Sequence, residues 1–139
     1  MSIFDSLYTL DENQVLGEGA TCKVKFATKN ETDEQCAVKI FDRNAMRDDP
    51  TITESDVRRE ATLFKFLSDP ESHPHIVKCH GYFQDSPDYL YLVFEYLSGG
   101  ELFDQIASKH NYTEKEVKHL AKTILEAIQF VHQKNIIHR

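Results

Sequence analysis

Alternating hydrophobic and polar positions mark the first third of the chain. Val24 and Phe26 alternate with Lys23 and Lys25, which is the two-residue period of a strand with one buried face. Polar turns such as 30–33 separate neighbouring apolar segments, so consecutive strands are expected to pair. We therefore predict a three-stranded meander whose strands are Tyr8–Leu16, the segment around Val24 and Phe26, and Cys36–Phe41.

A helix is predicted after a charged loop over 42–53. Thr53 and Asp56 have the spacing of a capping box, in which the side chain and backbone groups of the first turn bond reciprocally. Apolar residues then recur at helical spacing until the pair Asp69-Pro70, which ends the pattern. The helix is expected from about Glu54 to Leu67, with Glu60 beside an apolar face formed by Val57, Ala61 and Phe64.

Two further strands are predicted before the chain changes character. Ile76–Phe83 and Tyr89–Leu97 are apolar and aromatic, and the polar segment 84–88 between them indicates a hairpin. Ser98-Gly99-Gly100 then interrupts the pattern, and a short helix is expected from Glu101. This break separates a sheet-rich part of the chain from a helical part.

The clearest helix lies near the end of the sequence. Thr113 and Glu116 form a second capping-box pattern, and the final run 135–139 is apolar and typical of a strand. The positions on both sides of the apolar stripe are also fairly apolar, so we expect other elements to pack on more than one side of this helix. Without them the exposed apolar surface would be prone to association. The stripe runs for about five turns and consists of Val117, Leu120, Ala121, Ile124, Leu125, Ile128 and Val131.

Composition limits the class of protein. The chain has 139 residues, 40% of them hydrophobic and 28% charged, which is typical of one globular domain. A net charge of −7 with scattered basic residues argues against a nucleic-acid partner. No apolar run approaches the roughly 18–20 residues of a membrane span, so no membrane partner is expected. Without a signal core after Met1, we expect a cytoplasmic location, with the nucleus left open.

Three widely spaced cysteines indicate neither a disulfide framework nor a zinc pattern, and they fit a reducing, intracellular compartment. Three histidines surround Cys79, at 73, 75 and 80. A turn running into a strand is favoured over a metal site there, because no second ligand pair follows at a zinc spacing. No metal site is predicted.

Two glycines and a lysine suggest a site for an anion. Gly17 and Gly19 lie between two predicted strands, and Lys39 lies within the next strand beside Val38 and Ile40. Glycine lets backbone amides approach an anion closely, while burial of a lone ammonium is costly unless a carboxylate or phosphate meets it. The sequence therefore suggests a nucleotide phosphate site.

In this order and spacing, the segments resemble a eukaryotic-type serine/threonine protein kinase from its N-terminus to its catalytic loop. The segment 99–104, Gly-Gly-Glu-Leu-Phe-Asp, is similar to kinases of the calmodulin-dependent and AMP-activated type. The other matching motifs are the glycine turn Leu16–Val24, the strand Ala37-Val38-Lys39, an acidic residue in the next helix, the segment Leu92–Leu97, and the final His138-Arg139.

The resemblance implies an α+β fold. It predicts a kinase N-terminal lobe, an antiparallel five-stranded sheet plus one helix, followed by the first helices of the C-terminal lobe. The partial kinase domain would cover 8–139, with the N-terminal lobe over 8–97 and the start of the next lobe over 98–139. ATP is the implied nucleotide, with magnesium and a protein substrate in the intact kinase.

The resemblance also assigns roles to residues. Lys39 would bind the α and β phosphates and pair with Glu60, and these two are the catalytic candidates. A surface lysine on an edge strand and a solvated helix carboxylate are the alternatives for the two side chains. The complete set expected to bind ATP is Leu16, Gly17, Gly19, Val24, Ala37, Lys39, Phe94, Glu95, Leu97 and Glu101.

The resemblance implies that these residues contact different parts of the nucleotide. Val24 and Ala37 would enclose the adenine, and Phe94 would stand at the back of the pocket as the gatekeeper. Backbone groups of Glu95 and Leu97 would meet the adenine edge. The ribose would meet Glu101, while the glycines would lie over the phosphates.

The sequence departs from the kinase pattern at two places, and these departures change what we expect of nucleotide binding and catalysis. Cys22 stands in place of a third glycine, and a positive φ there would cost roughly 1–2 kcal/mol and weaken nucleotide binding about tenfold. The second departure is that the catalytic aspartate and the magnesium ligands do not follow His138-Arg139. We therefore expect a kinase truncated inside its catalytic loop, in which this chain alone does not catalyse phosphoryl transfer.

Two alternatives to a truncated active kinase belong to other functional classes. The first is a naturally short, kinase-like module that binds a nucleotide or a partner without catalysis. The second is a fragment without a ligand, which associates through the uncovered helix. Intact Lys39 and Glu60 favour descent from a catalytic kinase.

Overall fold

The computed structural model describes residues 2–49, 51–68, 72–109 and 111–138. Its helices are α1 (Ile3–Leu7), α2 (Arg43–Asp48), α3 (Glu54–Ser68), α4 (Leu102–Ser108) and α5 (Glu114–Gln133). Its strands are β1 (Tyr8–Glu18), β2 (Cys22–Lys29), β3 (Gln35–Asp42), β4 (Cys79–Phe83) and β5 (Tyr89–Glu95).

The strands form one antiparallel sheet in the order β1-β2-β3-β5-β4. The predicted meander is β1 to β3, and the predicted hairpin is β4 to β5. Because β3 lies between β2 and β5, its residues are central in the sheet. Val24 lies opposite Lys39, which lies opposite Leu92, so these three side chains emerge on one face.

That face, which we call the inner face, is covered by α3. Phe41, Leu90 and Leu92 of the sheet form a buried cluster with Val57 and Ala61 of the helix. Helix α3 begins as predicted, since the Asp56 N–H donates to Thr53 Oγ1 at 3.3 Å and the Thr53 N–H donates to Asp56 Oδ2 at 3.0 Å. The predicted stop at Asp69-Pro70 lies outside the described residues.

The opposite, outer face is covered by α1, which the hydrophobic pattern did not predict. Ser2 and Asp5 form a capping box around this short helix, and the Ser2 N–H is the main cause that lowers the pKa of Asp5. Phe4 is only 1% exposed. The outer-face core consists of Phe4, Tyr8, Ala27, Cys36, Val38, Tyr91 and Val93.

The segment 42–53 was predicted as a loop but contains α2. Asp42 caps this helix, because its carboxylate accepts from the N–H groups of Asn44 at 2.8 Å and Ala45 at 3.2 Å. Met46 is buried against the inner-face core. Two adjacent apolar residues, Ala45 and Met46, among polar and charged neighbours give no visible periodicity, so the sequence pattern missed the helix.

Helix α5 begins with the predicted capping box, in which Glu116 and Thr113 bond reciprocally. None of its residues is buried, and the predicted stripe includes exposed Val117, Ile124, Leu125 and Ile128. The strand predicted at 135–139 is wrong over 135–138, which form a turn and irregular backbone. Arg139 lies outside the described residues. In the described ranges, no helix is long and apolar enough to cross a membrane.

Candidate nucleotide site

The site is centred on an ion pair between the sheet and α3. Lys39 Nζ lies 2.9 Å from Glu60 Oε1 and 3.2 Å from Glu60 Oε2. The two side chains are 28% and 31% exposed, so their charges remain accessible from solvent. The edge-strand alternative for Lys39 is wrong, since β3 is flanked on both sides. The solvated-carboxylate alternative for Glu60 is also wrong, because its carboxylate is paired.

Helix geometry brings Glu60 to this position. Val57 and Ala61 are buried on the inner face, and Glu60 is three residues after Val57, so it lies beside the apolar stripe. Lys39 reaches towards the same helix and also lies over the Phe41 ring, with 4.9 Å from Nζ to the ring centroid. Apolar packing thus fixes where the two charges meet.

The glycine turn joins β1 to β2, and β2 in turn pairs with β3, the strand of Lys39. Gly19 N–H donates to the Cys22 carbonyl at 2.8 Å, and Gly17 lies opposite Val24. A Cβ added at Gly17 or Gly19 would meet protein atoms no closer than 3.6 Å, which is ordinary contact. Internal packing therefore does not require glycine here, whereas close approach of a ligand to the backbone does.

Cys22, which stands in place of the third glycine of the kinase pattern, does not have a positive φ. Among the described residues, positive φ occurs at Asp33, Asn135 and Gly100, and therefore not at Cys22. It begins β2 opposite Phe41 and packs partly buried against the inner-face core. The predicted 1–2 kcal/mol backbone penalty, and the loss of affinity derived from it, have no basis in this conformation.

The predicted adenine residues share the inner face. Ala37 lies opposite both Phe26 and Phe94, and it is two residues from Lys39, so its side chain points the same way. The Phe94 ring packs edge-on against Phe64 of α3, with ring centroids 5.0 Å apart. This contact places Phe94 at the boundary between the sheet and the helix.

The chain leaves β5 through Glu95 and Leu97. The Glu95 carboxylate accepts from the Lys78 N–H at 2.7 Å, and the Glu95 N–H donates to the Lys78 carbonyl at 3.0 Å. Leu97 makes no backbone hydrogen bond within the part of the chain that the structure describes. Glu101 is the N-cap of α4 without using its side chain as a cap. Backbone at Leu97 and a carboxylate at Glu101 therefore stay open to a ligand.

One contact at this edge was not anticipated. Phe26 packs edge-on against Tyr96, with centroids 5.0 Å apart, and so joins β2 to the segment after β5. The alternation with Val24 had placed Phe26 on the same face, but its partner lies 70 residues away in sequence. Leu16 stays partly exposed on β1.

The histidine-rich segment offers no metal centre. The His73 ring lies 5.1 Å from the Phe130 ring and 5.4 Å from the His75 ring. Within the described ranges, no group of three or more His, Cys, Asp or Glu side chains could hold a metal. His73 instead contacts α5.

Comparison with known proteins identifies the family. The family model of the protein kinase domain matches residues 10–139. The chain is 38% identical over 129 residues to CBL-interacting protein kinase 21 of Oryza sativa subsp. japonica, covering 91% of this chain and 23% of that protein. It is 36% identical over 124 residues to a probable myosin light chain kinase of Dictyostelium discoideum, covering 89% of this chain and 36% of that protein.

A solved structure agrees with this assignment. The crystal structure of Rad53 1-466 in complex with AMP-PNP has a TM-score of 0.83 and 29% identity, over 100% of this chain and 34% of that one. The chain belongs to the protein kinase family. Its five-stranded sheet and α3 match the N-terminal lobe of that fold, as predicted, and it spans about a quarter to a third of the length of the curated relatives it matches.

Proposed function

We propose that this chain is the ATP-binding portion of a protein serine/threonine kinase. The observation that carries the proposal is the Lys39–Glu60 ion pair, with Lys39 opposite Val24 and Val24 opposite Gly17 in the sheet. A paired, partly exposed lysine presents its remaining N–H donors to phosphate oxygens, while Glu60 keeps the ammonium in place. Because Gly17 and Gly19 have no side chain, a nucleotide can approach the backbone of the turn closely.

ATP fits the other groups of the site. Val24 and Ala37 give a small apolar surface for the adenine on the inner face. The Leu97 backbone, which makes no hydrogen bond within the described ranges, is proposed to bind the adenine edge together with the Glu95 carbonyl. Glu101 is proposed to bind the ribose. Phe94 and Leu16 are proposed to line the walls of the pocket.

For the intact protein we propose ATP with magnesium as the phosphoryl donor. The γ-phosphoryl group passes to the hydroxyl of a serine or threonine in a protein substrate, which loses its proton, and ADP leaves. Of that machinery the described residues supply the phosphate-binding side, namely Lys39, Glu60 and the glycine turn. A cytoplasmic location is also proposed, supported by three unpaired cysteines.

Thermal unfolding of the chain with and without ATP tests the nucleotide site. ATP at about one hundred times its Kd should stabilise the fold by about 2.7 kcal/mol, and Lys39→Met should abolish that gain. Lys25→Met is the matched control, since Lys25 is a strand lysine paired with Glu12 but emerges on the outer face. An unchanged response to ATP in Lys39→Met, or no response in the parent chain, would contradict the proposal.

A further inference from the structure

A single arginine joins three parts of the fold at the end of the sheet. Arg43 follows β3 directly, and its Nη1 donates to Glu54 Oε1 at 2.8 Å while its Nη2 donates to the Gln84 carbonyl at 3.0 Å. Glu54 is the first residue of α3, and Gln84 follows β4. One side chain therefore connects the end of β3, the start of α3 and the β4–β5 loop.

The Arg43 side chain is mostly buried at this junction. It is 17% exposed, while its partner Glu54 is 45% exposed. Arg58 of α3 adds a parallel contact, because its Nη2 donates to Gln84 Oε1 at 3.2 Å.

Two ion pairs therefore connect α3 to β3 and to the residue that follows this strand. Lys39 holds Glu60, and Arg43, four residues further along the chain, holds Glu54. The two glutamates are six residues apart, about 9 Å along a helix axis. Val57 packs on the sheet between them, so a tilt of α3 at its N-terminus is expected to displace Glu60 as well.

We propose that Arg43 is a positioning residue for the nucleotide site. Through Glu54 and Gln84 it holds α3 in the orientation in which Glu60 pairs with Lys39. It contacts no nucleotide and acts only through that ion pair. The expected effect of Arg43 on the Lys39–Glu60 contact follows from these distances alone. Its expected effect on ATP affinity also depends on the proposed function.

Acylation of the Lys39 amine, followed by mass spectrometry, tests the proposal without any ligand. Arg43→Gln and Glu54→Gln should each raise the labelling rate of Lys39 about threefold or more, the scale of coupling between residues linked by a shared backbone shift. Arg59→Gln is the matched control, since Arg59 is on the same helix but 80% exposed, and its one ion pair among the described residues is with Asp56 at 3.5 Å. Lys39 labelling that stays at the parent rate in both Arg43→Gln and Glu54→Gln overturns the proposal.

ATP affinity provides the second test. Arg43→Gln should weaken binding by about threefold to tenfold, and should weaken it no further when Glu60→Gln is already present. A residue with a merely structural role would lower the urea midpoint and leave the Kd of the folded chain unchanged. That result would overturn the proposal, as would an Arg43→Gln effect on the Kd that is equally large with and without Glu60→Gln. If the parent chain fails to bind ATP, the proposed function is wrong, and Lys39 labelling alone decides the role of Arg43.

Discussion

The ring of Phe4 lies nearly parallel to that of Tyr91, with centroids 4.0 Å apart and 3° between the ring planes. Tyr8 stacks on the same phenylalanine at 5.5 Å, and Phe83 meets it edge-on at 5.7 Å. Helix α1 therefore closes the outer-face core through one aromatic side chain. Residues 3–7 therefore pack on the sheet as part of the same folded unit.

Replacing Phe4 by alanine should destabilise the chain by about 3 kcal/mol, the lower end for loss of a buried phenylalanine. Urea unfolding followed by circular dichroism measures the change. Phe103→Ala is the control, because Phe103 is 76% exposed and its loss should change stability by no more than about 0.5 kcal/mol. Equal effects of the two substitutions would contradict the assigned packing of α1.

Replacing Cys22 by glycine, the residue that the kinase pattern has at this position, should not improve nucleotide binding. Cys22 has no positive φ and packs against the inner-face core. Cys22→Gly should therefore lower stability by about 0.5–1 kcal/mol, because glycine within a strand is entropically unfavourable. Unfolding in urea and ATP titration measure the two effects. A tenfold gain in ATP affinity would mean that the bound turn adopts a different backbone.

The three thiols should differ in their reaction with an alkylating reagent. Cys36 is fully buried, and burial raises the pKa of its thiol and of the Cys79 thiol, which lowers the fraction of reactive thiolate. Cys22 is partly exposed beside Gly19. At pH 8, mass spectrometry should show Cys22 modified first and Cys36 only as the chain unfolds.

ATP makes this labelling experiment a test of the site. A nucleotide under the glycine turn should slow modification of Cys22 and leave Cys79 unaffected. Modification of Cys36 ahead of Cys22 would be inconsistent with the burial described here. Equal protection of all three thiols would instead indicate that ATP stabilises the whole chain without covering the turn.

Features set by local interactions could be predicted from the sequence. Alternation in β2 and the capping boxes at Thr53 and Thr113 depend on residues within one turn or one strand, so their prediction succeeded. The ion pair of Lys39 with Glu60 was different, since no local pattern specifies how α3 docks on the sheet. Only the resemblance to kinases predicted that contact, and apolar packing of Val57 accounts for it.

Features that depend on distant partners were missed. Helix α1 has five residues, too few for a periodic pattern, and Phe4 finds its partner at Tyr91. The apolar run Ile136-Ile137 suggested a strand, but a strand needs a hydrogen-bonding neighbour, and the sheet ends at β4 and β1. The sequence pattern did not indicate the role of Arg43, because both acceptors of its side chain, Glu54 and Gln84, are distant in sequence.

Acid should weaken the start of α5. A side-chain hydrogen bond from Lys109, followed by bonds from the Thr113 N–H and hydroxyl, lowers the pKa of Glu116 to about 2 from an ordinary 4.5. A depressed pKa means that the carboxylate contributes its full stabilisation above about pH 4.5 and loses it as the pH falls towards 2. Urea unfolding of the parent chain and Glu116→Gln across this range measures that contribution.

The difference in stability between parent and Glu116→Gln should be constant above about pH 5 and shrink steadily between pH 4.5 and 2. Lys109→Gln serves as the internal control. It removes the main cause of the lowered pKa, so the loss in that variant should move to higher pH. A difference between parent and Glu116→Gln that stays flat down to pH 2 would show that these hydrogen bonds do not hold Glu116 ionised. The cap of α5 would then depend on the Thr113 hydroxyl alone.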